Sequence, residues 1–344
     1  MKVIVVGAGS IGFRHLSNLL ALRSAGRLPM PIDTVVVAEP HPATRERVRE
    51  SFADQPVTSV ETLSQADAAA GDAVLICTPA HYHVAQALQC VERGCHLFIE
   101  KPLAITLDKS DTLVRQVEER GVTALVACNM WFHPAIREIN TRLASGAIGQ
   151  PRLFRSYWGH HVSQWNPGAS LKGHYSLDPD QGGGSLFDVG AHEFFFVPQL
   201  LGAIREASCD CGPSGVFDSA VDDFSHTVSA LETGVRGTFS FNFLDRCRRR
   251  SLEVIGDEGS ILWNSEGKQP IRERLRIHPG NGEWTEIPVT PIADTMYEAT
   301  LQHFFNAIHG TESVIQSVAQ ARETLALILA LRQTGRYTST PSPR

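Results

Sequence analysis

The chain has 344 residues, of which 42% are hydrophobic and 20% charged, and a formal net charge of −6. These values describe an ordinary globular chain with room for about two domains, whose cores need no staple. The mildly acidic balance excludes nucleic acid as the expected partner, because phosphate attraction needs the opposite sign.

In chain order, residues 2–6 form an apolar, β-branched run that stops at Gly7, the pattern of a strand buried on both faces of a parallel sheet. The sequence then predicts a helix over 11–25, a strand over 34–38 and a charged helix over 42–52. Strands follow at 73–77, 96–99 and 122–127, separated by helices over 82–93 and 107–120 that would end at Gly94 and Gly121. Regular alternation of strand and helix argues for an α/β doubly wound parallel sheet.

After about residue 128 the rhythm changes. One amphipathic helix over 132–144 precedes strands at 152–158, 204–211, 224–232, 235–244, 251–255, 259–263, 272–278 and 284–289. Turn signals between them predict an open, mainly antiparallel sheet with one solvated or interface-forming face. Helices over 295–308 and 317–333 close the pattern, and the Ser, Thr and Pro after Gly335 predict a loose tail. The expected domains are therefore 1–125, a parallel α/β domain, and 126–344, an α+β domain.

Gly7-Ala-Gly9-Ser10-Ile11-Gly12 is a G-x-G-x-x-G sequence placed between the first strand and the first helix. Its glycines suit a tight turn, a close approach of backbone to a pyrophosphate, and helix–strand packing. The helix N-terminus supplies N–H groups and a positive dipole end to the anion. Glu39 ends the second strand, where a carboxylate accepts from ribose hydroxyls and repels a 2′-phosphate, so NAD is expected over NADP. Arg45 and Arg47 nearby leave NADP open.

Two further stretches are Cys77-Thr78-Pro79-Ala-His81-Tyr-His83 with Gly94-Cys-His-Leu-Phe-Ile-Glu100-Lys101-Pro102, and Gly182-Gly-Gly-Ser-Leu-Phe-Asp188-Val-Gly-Ala-His192. With the opening glycines and Val221-Asp-Asp-Phe224, they make nearly the whole chain resemble the Gfo/Idh/MocA family of sugar and cyclitol dehydrogenases. The resemblance implies that 1–125 is a Rossmann NAD(P)-binding domain and 126–344 an open-sheet domain for substrate binding and oligomerisation, with Lys101, Asp188 and His192 as catalytic residues and the histidine as acid/base. It also implies that Glu100 faces the cofactor side and that Thr78, Pro79 and His83 lie along the nicotinamide and its ribose. The sequence departs from the family at Asn129-Met-Trp-Phe132, where many members carry arginine at the position of Trp131.

The residues themselves support this chemistry. Oxidising a secondary alcohol by hydride transfer needs a group to take the hydroxyl proton. Lys101 ends a predicted strand, where an ammonium can stabilise a developing alkoxide. Asp188 and His192, four apart, share a helix face. Asn129, Trp165, Asn166, His174 and Tyr175 are candidates for a wall that receives a carbohydrate-like substrate, with Asp188 and His192 completing it. Redox-neutral glycosidase or epimerase chemistry using NAD, and a non-catalytic NAD-sensing regulator, are the alternatives.

Leu325 to Leu331 is the longest apolar stretch, far short of the roughly 20 residues that span a bilayer, so no membrane partner is expected. The first strand begins too early for a secretory signal, and seven irregularly spaced cysteines suit a reduced, cytoplasmic setting. Cys209 and Cys211, like His160-His161 and His81-x-His83, lack the companions of a metal site, and no metal is expected. An exposed sheet face predicts a homo-oligomer.

Overall fold

A computed structural model describes residues 1–165, 171, 173–267, 271–289 and 295–339. The chain forms two compact units, Met1–Phe132 with Ala293–Leu325, and His133–Ile292 with Ala326–Arg344.

The first unit begins with β1 (Lys2–Val6), α1 (Ser10–Ser24), β2 (Thr34–Ala38), α2 (Pro42–Ser51) and β3 (Val57–Val60). It continues through β4 (Ala73–Ile76), α3 (Ala80–Val91), β5 (His96–Ile99), α4 (Ser110–Arg120) and β6 (Ala124–Val126). All six strands are parallel in the order β3-β2-β1-β4-β5-β6. That order reverses direction beside β1, which puts a ligand crevice at the carboxyl ends of β1 and β4. The strand cores are apolar on both faces: Val3 to Val5 and Ala73 to Ile76 are fully buried. Gly121 ends α4 at φ +62 and donates to Glu118 O, as its position at the helix end requires.

In the second unit α5 (Pro134–Ala144) precedes β7 (Pro151–Gly159). The helix starts two residues later than 132, because Pro134 takes the first helical position and disfavours a helical His133 before it. After α6 (Ala191–Leu201) come β8 (Ile204–Gly212), β9 (Phe224–Leu231), β10 (Arg236–Asn242) and β11 (Arg249–Gly256). Then follow β12 (Ser260–Glu266), β13 (Arg272–His278) and β14 (Thr285–Ile287). The chain closes with α7 (Thr295–His309), α8 (Val318–Thr334) and β15 (Arg336–Thr338). Among the described residues nine strands form one sheet, β14-β13-β12-β11-β7-β10-β9-β8-β15, antiparallel except where β7 runs parallel to β10.

The tail is not loose directly after Gly335. Arg336 to Thr338 pair with Ser208 to Glu206 and give the sheet its last edge. Tyr337 and the free edge of β8 supply what composition alone concealed.

One face of this sheet is packed on aromatic rings: Phe239 lies 4.7 Å from Phe194 and 5.0 Å from Phe154 between centroids. The other face leaves Leu153 and Val228 exposed. Helix α7 belongs to the first unit, where Leu301, Phe304 and Phe305 join the core of Leu16, Val35, Leu75 and Phe98. All seven cysteines are free thiols. Among the described residues no helix is long and apolar enough to cross a membrane.

Candidate functional site

Candidate residues gather in two places, one in each unit. In the first, Gly7 adopts φ +84, a conformation that L side chains rarely take. A β-carbon on Gly12 would lie 1.9 Å from the Gly7 carbonyl oxygen, so only glycine lets α1 pack onto the turn. Gly9 differs: apart from its own chain neighbours, no described atom lies within 4 Å of where its β-carbon would be. Ser10 and Ile11 open α1, whose first turn holds no acidic residue, and its positive end is left for an anion. An open cradle at Gly9 beside an uncompensated helix N-terminus fits a dinucleotide pyrophosphate.

Glu39 is buried at the end of β2, and its two oxygens accept the N–H groups of Ala8 at 2.8 Å and His41 at 3.0 Å. The carboxylate therefore ties the glycine turn to the β2 loop. Arg45 donates to the Glu39 and Pro40 carbonyls, and Arg47 to the Ala8 carbonyl at 2.6 Å, with its guanidinium over the Phe13 ring.

Thr78 and Pro79 follow β4, and the Thr78 hydroxyl donates to Gln86 at 2.6 Å. His83 is buried, its ring nitrogens 2.7 Å from the Thr78 carbonyl and 2.9 Å from the Pro102 carbonyl. Burial lowers its pKa against the opposing pull of those two carbonyls. A neutral imidazole carries a single N–H, so the ring donates to one of these two carbonyls and packs against the other. Glu100 ends β5 with one oxygen 2.6 Å from His15 Nε2 and the other accepting the Lys101 N–H at 3.0 Å. Burial would raise its pKa, but the His15 bond and the Lys101 charge outweigh it and hold the carboxyl below its ordinary value. Lys101 is half-buried and joined to Pro102 by a cis peptide. Asn129 opens a short helical turn, Asn129–Phe132, beyond β6.

In the second unit, residues 186–190 form a π-helical turn that runs into α6, the kind of wide turn found at functional sites. It carries Asp188, and His192 follows in the first turn of α6. One Asp188 oxygen accepts from the Ser176 hydroxyl at 2.8 Å and the Tyr175 hydroxyl at 3.1 Å. His174 stacks on Tyr175 at 5.2 Å, and Trp165 stands edge-on to His174 at 5.8 Å and Phe243 at 5.2 Å. Trp165, His174, Tyr175 and Asp188 are therefore one cluster. Asn166 lies outside the described residues.

His174 caps a short helical turn by accepting the Ser176 N–H on Nδ1, as His133 and His161 do for Ala135 and Ser163. An acceptor nitrogen has no proton, so His174 carries its hydrogen on Nε2. Burial lowers its pKa, partly offset by Asp188, and keeps the ring a neutral N–H donor.

Several residues of these surroundings were given no role by the sequence reading. Ser176 shares Asp188 with Tyr175. Asp222, at the start of the Asp222-Asp-Phe224 stretch, accepts the Leu186 N–H at 2.8 Å and the Ser185 hydroxyl at 3.0 Å. Arg332 Nε lies 3.2 Å from its other oxygen. Burial still raises the Asp222 pKa against these donors. Glu193, next to His192, is held by Arg250 at 2.6 Å and Ser156 at 2.6 Å. An aspartate two residues before a strand and a glutamate in an apolar helix were the available signals, but neither names its partner.

Residues 1–128 match the model of the oxidoreductase family with an NAD-binding Rossmann fold, and residues 136–262 match the GFO/IDH/MocA C-terminal domain. The NAD(+)-dependent scyllo-inositol 2-dehydrogenase of Bacillus subtilis (strain 168) is 28% identical over 343 residues, spanning 96% of this chain and 92% of that protein. The 1,5-anhydro-D-fructose reductase of Ensifer adhaerens is 28% identical over 261 residues, 74% of each chain. The structure of a levoglucosan dehydrogenase in complex with NADH and levoglucosan superposes with a TM-score of 0.84 at 21% identity, covering 99% of this chain and 100% of that one, which establishes likeness of fold.

Proposed function

The chain belongs to the GFO/IDH/MocA family of NAD-binding oxidoreductases, and we propose that it moves a hydride between the nicotinamide and a secondary alcohol or ketone of a sugar, nucleotide sugar or cyclitol. The observation that carries the substrate class is the Asp188 cluster. A carboxylate fixed by Tyr175 and Ser176 beside the rings of Trp165 and His174 offers a hydroxyl-binding edge and an apolar wall. A pyranose or cyclitol ring presents the complementary pair of surfaces. Relatives named for scyllo-inositol, 1,5-anhydro-D-fructose and levoglucosan support the same class.

Gly7, Gly9, Ser10, Ile11 and Gly12 would hold the cofactor pyrophosphate, Glu39 its adenosine ribose, and Thr78, Pro79 and the Glu100–Lys101 turn the nicotinamide side. Bound NAD supplies the hydride-accepting carbon. The Lys101 ammonium donates a hydrogen bond to the reacting oxygen and stabilises negative charge on it. His192 takes the hydroxyl proton, oriented by Asp188. His174 gives its Nε2–H to a second substrate oxygen. Glu39 favours NAD, and Arg45 and Arg47 are already engaged by carbonyls, which weakens any welcome for a 2′-phosphate. The sheet face with Leu153 and Val228 suits a homo-oligomer contact.

The test is a panel of free sugars, nucleotide sugars and inositols with NAD or NADP, followed by absorbance of the reduced cofactor. Substrate-dependent NADH formation, weaker with NADP, supports the reading. Bound NAD(H) without net turnover would redirect it to redox-neutral chemistry, and absence of cofactor affinity would overturn it.

A further inference from the structure

Helix α1 has a task beyond presenting its N-terminus. His15, in its second turn, is almost fully buried, and its Nε2 lies 2.6 Å from Glu100 Oε1. A carboxylate only accepts, so Nε2 bears the hydrogen. The second Glu100 oxygen accepts the main-chain N–H of Lys101 at 3.0 Å. The imidazole is pinned edge-on against Phe98 at 4.9 Å and Tyr297 at 6.0 Å, which fixes its direction. Burying such a pair carries a desolvation cost that an apolar residue would avoid. Packing alone does not explain a histidine here.

We propose that His15 is a positioning residue for Lys101, acting through Glu100. By holding the carboxylate in the orientation that caps the Lys101 N–H, it makes one helix set both the pyrophosphate cradle and the lysine. It also keeps an anion within electrostatic reach of the Lys101 ammonium. The role rests on the reading of Lys101 as the donor to the reacting oxygen.

The chain has five lysines, few enough for carbon-13 reductive methylation of the whole protein and an NMR titration of each. The Lys101 resonance is assigned with Lys101→Arg. In His15→Phe, Glu100 loses the bond that most opposes its burial and is protonated more readily, so the Lys101 midpoint should fall by up to about one pKa unit, the effect of losing a nearby opposite charge. His15→Gln, which restores a donor, should recover most of the shift. Where a substrate turns over, kcat of His15→Phe should fall by roughly ten- to a hundredfold with NAD affinity unchanged. An unchanged or raised midpoint in folded His15→Phe overturns the proposal, as does an equal shift in the glutamine variant. Should the phenylalanine variant fail to fold, Glu100→Gln must show the same fall, and an unchanged midpoint there is equally fatal. A protein inert towards every substrate would count against the proposed activity and leave the titration to decide on His15.

Discussion

A β-carbon on Gly184 would lie 2.4 Å from Oδ1 of Asp222, so the glycine at one position and the aspartate at the other are a single choice. Gly184 also adopts φ +112, which a side chain resists. The gain from this close approach is a cap: Asp222 receives Ser185 and Leu186 at the head of the π-helical turn that carries Asp188.

Gly184→Ala should push Asp222 off that cap. The expected cost is about 1–3 kcal/mol of stability from overpacking, with further loss from the strained backbone. Urea unfolding measures it, and a stability equal to wild type would show that the carboxylate has room to move.

Lys101→Ala should lower turnover by about 10² or more if the ammonium stabilises charge on the reacting oxygen. NAD binding, followed by fluorescence titration, should change little because the glycine turn is untouched. Near wild-type turnover would remove Lys101 from the chemistry.

Glu39→Gln keeps the shape of the side chain and one acceptor for the N–H groups of Ala8 and His41 while removing the charge. Relative kcat/KM for NADP against NAD should rise by about tenfold, the equivalent of about 1.4 kcal/mol. A ratio that stays put would mean the carboxylate serves the turn alone.

Burial lowers the pKa values of His83, His96 and His174 from the ordinary 6.5. The unfolded chain therefore takes up protons first as the pH falls below about 6.5. Stability from the neutral rings is complete above that value and is lost as the pH falls towards the folded-state values. Glu100 and Glu273, with lowered pKa values, lose their contribution only below the ordinary carboxylate value of 4.5. Tm should drop between about pH 7.5 and about pH 5.5, and less so in His174→Gln. A flat profile in that window would contradict the neutral, buried state.

Much of the first unit was legible because its signals are local. An apolar run ending in Gly7 and a helix opening at Ser10 write the β1–α1 turn directly into neighbouring residues. β3 was missed because Val57 to Val60 is a short, half-buried edge with no apolar run. β15 was missed for a similar reason: Arg336 to Thr338 is a strand only because β8 offers a partner. The motif residues Lys101, Asp188 and His192 stand out by type and spacing. Their supports, His15 for Glu100 and Asp222 for Leu186, are set by contacts 85 and 36 residues apart, which periodicity cannot reveal.

The Arg332–Asp222 pair has a consequence for how the protein is made. Every residue proposed to bind or react has been synthesised once β14 is complete, yet the buried carboxylate that caps the turn carrying Asp188 still lacks its cation. That cation arrives in the last turn of α8, 144 residues after Asp188. A ribosome paused between the two would display a chain with all its chemistry encoded and this ion pair still unmade. The second unit therefore gains its full set of contacts only when α8 has been made.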